Sequence, residues 1–146
     1  MEYNISARGV DKRLKARYEA SEAEAVNYCG ELLRLRDTGD LSYDVVYKYM
    51  ERIVRAKYYL DEEVLDSNRF HYLGELSVAR ALGRSISEIQ GIDLEAKCNG
   101  TSTVMTKKIL LFMFINRQLG VSISAEQAAD ALSLDDLALL VFQRLS

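Results

Sequence analysis

The chain has 146 residues, 49% of them hydrophobic, with 19 basic and 22 acidic side chains and a formal net charge of −3. That is the length of one ordinary domain, apolar enough to bury a core and too apolar for intrinsic disorder. The near balance of charge argues against a general nucleic-acid binder, which favours a strongly basic face.

Residues 1–10 read as a loose arm, with no basic segment leading into an apolar run and hence no signal peptide. From Asp11 to about Arg36 the pattern is helical, with Leu14, Tyr18, Ala25, Cys29, Leu32 and Leu33 at helical spacing. Ser21-x-x-Glu24 has the form of a capping box inside that pattern, which leaves one helix or two open. Asp37-Thr-Gly-Asp40 is a turn signal. A second helix then starts at Asp40 or Ser42 and runs to about Leu60, with Val45, Val46, Tyr49, Ile53 and Ala56 as its stripe. The short connection predicts an antiparallel α-hairpin.

Residues 61–83 read as a third helical region, stopped by Gly83. Ser85-x-x-Glu88 caps a short turn, and 92–101 read as a loop with Asn99-Gly100 as its turn. Thr103–Gln118 is the most apolar helix. Ile109 to Ile115 cover nearly its whole circumference, which predicts burial in a core or an interface. The same run, the longest apolar one, is too short to span a bilayer. Gly120 ends the helix, Ser124-x-x-Gln127 caps a short one, and Ser133-x-x-Asp136 caps the last. The absence of proline suits uninterrupted helices. The prediction is an all-α helical bundle.

From about Tyr72 onward the chain resembles the acyl carrier and peptidyl carrier protein family. Four segments carry the resemblance. Ala81-Leu-Gly-Arg-Ser-Ile-Ser-Glu-Ile89 is similar to the end of the family's first helix. Asn99-Gly-Thr-Ser102 is similar to its Gly-Gly-x-Ser or Gly-x-Asp-Ser motif. Leu119-Gly-Val-Ser-Ile123 resembles the Phe-Gly-Ile-x-Ile after its second helix, and Ser133-Leu-Asp-Asp-Leu137 the opening of its last. The chain departs from the pattern at Thr101, where fatty-acid carriers have Asp, and at Thr103, where carriers usually have Leu or Met. The stretch from Ser102 to Leu119 is also longer than usual, so a register anchored on Leu119 sets Met105 at the serine position.

The resemblance implies a carrier-like four-helix half over residues 72–146 preceded by an N-terminal α-hairpin over residues 1–71, the two forming one compact domain or the hairpin pairing with a second copy. It implies Ser102 as the attachment point of a 4′-phosphopantetheine cofactor. It also implies partners among carrier-modifying and acyl-transfer enzymes or other proteins. Chemically, the serine needs only an exposed hydroxyl at a helix start, where backbone N–H groups and the helix dipole favour a phosphate. Serine also serves there simply as an N-cap, and Thr101 and Thr103 can do the same. Lys107 and Lys108 read either as a solvated edge or as a basic docking strip for a partner. A carrier fold without its arm, serving as a protein-interaction module, is the alternative function.

His71 is the only histidine and reads as a surface or packing residue, which excludes a His–His metal site. Cys29 and Cys98 have no metal-ligand spacing; one disulfide between them is open in principle, and two free thiols is the plainer reading. Tyr47, Tyr49, Tyr58 and Tyr59, interleaved with Lys48, Arg52, Arg55 and Lys57, suit a half-buried bundle face or an interface better than nucleic acid in an acidic chain. No phosphate loop, nucleophile elbow or metal cluster is present in the sequence, so neither an enzyme nor a metal site is expected. The expected setting is the cytoplasm, without nucleic acid or membrane contact.

Overall fold

The computed structural model describes residues 2–90 and 103–146, with side chains described from residue 12 onward. Among these residues there are seven helices: α1 Glu2–Asp37, α2 Tyr43–Lys57, α3 Phe70–Leu82, α4 Ile86–Gln90, α5 Thr103–Leu119, α6 Ala125–Asp130 and α7 Leu134–Leu145. The chain is an all-α bundle.

The caps read from the sequence set most of the boundaries. Ser42 accepts from the Val45 amide and starts α2. Gly83 and Gly120 take the left-handed conformation that ends α3 and α5. Ser124 and Gln127 form both bonds of a capping box, and Ser133 caps α7.

Two elements differ from expectation. The first helix begins at Glu2, not near Asp11, so the predicted arm is helical backbone. It also runs unbroken through Ser21, whose side chain is buried on the seam rather than capping a new helix. Residues 61–69, read as the start of a helix, form a loop instead. Long-range partners hold that loop open. The Arg55 guanidinium donates to the carbonyls of Leu60 and Glu63 at 3.0 and 2.8 Å. The Asn68 amide donates to Asp135 Oδ2 at 2.8 Å. Phe70 N donates to Leu132 O and Leu134 N to Asn68 O, a single bridge between residues 69 and 133. With its polar groups satisfied from a distance, the segment has no need of helical bonds of its own.

α1 and α2 form the predicted hairpin. α2 also packs on α7, α3 on α5, and α1 on α5. One core draws on both halves of the chain: Leu32 from α1, Met50 and Ile53 from α2, Leu73 from α3, Leu111 and Ile115 from α5, and Leu137 from α7. The tyrosines and cations of α2 are engaged around it. Tyr49 donates to Glu31, Lys57 and Tyr59 both donate to Glu22, and Lys57 also sits over the Phe114 ring. α3 and α5 meet closely, with Gly74 against Val104.

Candidate functional site

α5 holds the longest apolar run of the chain, Ile109 to Ile115, and is only half covered. Its inner face, Leu111, Phe112, Phe114, Ile115 and Leu119, is buried. Met105, Ile109, Leu110 and Met113 lie 42–58% exposed along the outer side. The helix apolar all round therefore reaches solvent on one side rather than being fully enclosed.

Between α5 and α6 lies a cavity of about 380 Å³, within the ordinary size range of small-molecule pockets. Met105, Ile109, Phe112 and Met113 form one wall, and Ala125 and Ala128 the other. Small residues on α6 open the space. The turn from Gly120 to Ile123 sets the distance between the two helices. Asn116 holds that turn with two bonds: Nδ2 donates to Ile123 O at 3.0 Å and Oδ1 accepts from Ile123 N at 2.9 Å.

Lys108 is the cationic group of the lining. Only 7% of it is exposed, and its Nζ donates to the Ala129 carbonyl at 3.2 Å. The ammonium also lies 5.6 Å from the Phe70 ring centre. Burial lowers its pKa, opposed by the carboxylates of Asp130 and Asp136. Lys107, its neighbour in sequence, is half-buried on another face, 5.9 Å from the Tyr58 ring centre. Burial lowers its pKa as well. Successive residues on a helix point about 100° apart, so the two lysines do not share one strip. The Tyr58 hydroxyl beside Lys107 is buried without a hydrogen-bond partner among the described residues, and burial pushes its pKa up.

Ser102 and Cys98 lie outside the described residues; Thr103, the residue after Ser102, is the first of α5. Cys29 is a buried free thiol pushed up to about 12 by burial, against the opposing charge of Lys57. His71 is exposed and lies 3.5 Å from Glu75. Among the described residues no group of His, Cys, Asp and Glu could hold a metal ion, and no helix is long and apolar enough to cross a membrane.

Asn116, Ala125 and Ala128 were not among the residues singled out from sequence. Their signals are present there: one uncharged polar residue closing an apolar run, and alanines three apart on a short capped helix. Compared with known proteins, the chain matches no family model, no curated protein and no solved structure.

Proposed function

We propose that the chain is an acyl-carrier-like protein that holds a thioester cargo at Ser102 and presents it to partner enzymes. The observation that carries this reading is the apolar cavity between α5 and α6, flanking the helix that begins directly after Ser102. The helix order supports it too: a long helix, a short one with a Ser–Gln capping box, and a closing helix.

On this reading the Ser102 hydroxyl oxygen bonds to the pantetheine-side phosphorus of coenzyme A, the pyrophosphate P–O bond breaks, and adenosine 3′,5′-bisphosphate leaves. A separate transferase supplies the base that takes the hydroxyl proton. The bound phosphopantetheine supplies a thiol on a flexible arm. The chain's own residues do the rest: Met105, Ile109, Phe112, Met113 and Ala128 shelter an aliphatic cargo from water, and Asn116 keeps the opposite wall in place. Of the two lysines read as a docking strip, half-buried Lys107 is left to serve the partner surface; Lys108 is withdrawn from it, buried with its Nζ on the Ala129 carbonyl, and braces α5 against α6.

The outer face of α5 favours a second reading, a carrier fold without prosthetic group that acts as a protein-interaction module. Met105, Ile109, Leu110 and Met113 give it an apolar contact face. Intact mass after incubation with coenzyme A and a broad-specificity phosphopantetheinyl transferase separates the two. The carrier reading requires an adduct of one phosphopantetheine that disappears in Ser102→Ala. With no adduct in either sample, the interaction module stands in its place.

A further inference from the structure

α2 ends in a sharp turn. Tyr59, just past the last helical residue Lys57, is the one described non-glycine residue with a left-handed φ, 57°. Its hydroxyl donates to Glu22 at 3.2 Å, and its ring lies against Tyr18 with ring centres 4.3 Å apart. The turn delivers Asp61, Glu62 and Glu63 to the side of α1, and a second cavity of about 450 Å³ lies between them. None of its lining comes from α5 or α6. Arg17, Ser21 and Glu24 line it from one face of α1, at helical spacing.

The charges around this cavity do not cancel. Glu63 is paired with the Arg80 guanidinium. Glu24, Asp61 and Glu62 have no ion pair among the described residues, and Arg17 is the cation of the lining. Three carboxylates against one guanidinium leave two negative charges over. Ser21 gives a separate signal. It is the buried residue of the lining, 9% exposed, and its hydroxyl makes no hydrogen bond among the described residues. Unlike the Tyr58 hydroxyl, it is not sealed inside the protein, so its open side is the cavity. A hydroxyl so far withdrawn from solvent and unpaired has a hydrogen bond left to accept from a ligand.

We propose that this cavity binds an aliphatic diamine. Its two ammonium groups offset the two surplus charges and donate to Glu24, Asp61, Glu62 and the Ser21 hydroxyl, all of which accept. Its methylene chain lies on the Tyr18 and Tyr59 rings, whose faces also attract the cations. The volume is that of a small-molecule pocket. A bare divalent ion needs its oxygens within about 2.6 Å, and no group of acids among the described residues could hold a metal ion. A lysine side chain of a partner protein would answer only one of the two charges.

Calorimetric titration of the full chain with putrescine, the four-carbon diamine, tests this at about 50 mM salt, where screening is weak. One equivalent binds saturably, about tenfold tighter than butylamine or Mg²⁺, as one added hydrogen bond to a charged group demands. Glu24→Gln/Glu62→Gln abolishes that advantage, and Ser21→Ala weakens binding severalfold. Arg17→Ala strengthens it severalfold, because the guanidinium competes for the same carboxylates, and a misfolded variant would not produce such a gain. Circular dichroism checks that the variants keep their helix content. Failure of putrescine to bind overturns the proposal. So does binding of Mg²⁺ at equal strength, the mark of a diffuse acidic surface, or of butylamine, the mark of a lysine-docking site. Putrescine binding to Glu24→Gln/Glu62→Gln at wild-type strength overturns it as well.

Discussion

Asn116 and Ile123 exchange a reciprocal pair of hydrogen bonds, with the side-chain amide of one matching the main-chain N–H and C=O of the other. The turn between α5 and α6 is thereby closed as if by one extra rung of backbone pairing. Ile123 is buried, so its amide and carbonyl have no easy recourse to water.

Asn116→Ala leaves both groups unpaired. The expected cost is about 2 kcal/mol, the penalty for buried polar groups losing their partners. Asn116→Asp keeps the acceptor but loses the donor to Ile123 O. Urea unfolding of both variants checks the values, and a cost below that of an ordinary surface substitution would show that the turn is held by packing alone.

Gly74 sits where a Cβ would come 2.8 Å from Val104 Cγ1. Two effects oppose each other in Gly74→Ala. Helix propensity gains about 1 kcal/mol, while overpacking costs about 1–3 kcal/mol. Overpacking wins because Val104 is buried and stiff at χ1. The variant is therefore destabilised, and in a Val104→Ala background, where the Cβ at 3.3 Å is the contact left from that residue, the same change costs less than in the wild type. The double-mutant cycle reads this coupling directly.

Alkaline pH should weaken the fold through Cys29. Its thiol stands near 9 in the unfolded chain and about 12 in the folded protein, raised by burial. Folding thus favours the protonated form. That contribution is fully present below about pH 9 and drains away as pH rises toward about 12. Tyr59, pushed up to about 12 by burial and by Glu22, acts in the same direction. Denaturation at neutral pH and at about pH 11 should show a smaller loss for Cys29→Ala than for the wild type. An equal loss would assign the whole effect to the tyrosines.

Ala128 forms part of the wall of the α5–α6 cavity. Ala128→Phe fills that space, and a cargo displaced from it meets water. A thioester loaded on the variant should hydrolyse severalfold faster than on the wild type at mildly alkaline pH. Thiol release over time measures this, and an unchanged lifetime would mean that the cargo does not use the cavity.

Local chemistry made much of this fold readable before any coordinates. Ser42, Ser124 and Ser133 announce helices because a hydroxyl there replaces a missing backbone partner. Gly83 and Gly120 announce their ends because other residues resist the left-handed turn. What escaped reading depends on distant residues. The stretch 61–69 has helical spacing, but Arg55, Tyr47 and Asp135 take up its polar groups from elsewhere. The first turns of α1 carry Gly9, a poor helix former, so the sequence there does not read as helix. At the candidate site, Ser102 is legible only through its motif. Lys108 reads as a surface charge beside Lys107, because sequence cannot tell that α6 will dock over it. The cavity exists only once α6 has docked.

The shared core joining α1 and α2 to the later helices bears on how this chain can be cut. Met50, Ile53 and Val54 of α2 lie in the same buried cluster as Leu137 and Val141 of α7 and Leu111 and Ile115 of α5. The hydrogen bonds between residues 68–70 and 132–134 straddle the place where a carrier-like half would begin. A fragment starting at residue 72 would carry an uncovered apolar flank in place of that cluster. The hairpin thus acts as a covalently attached chaperone for the half it covers, and trimming it would trade solubility for brevity.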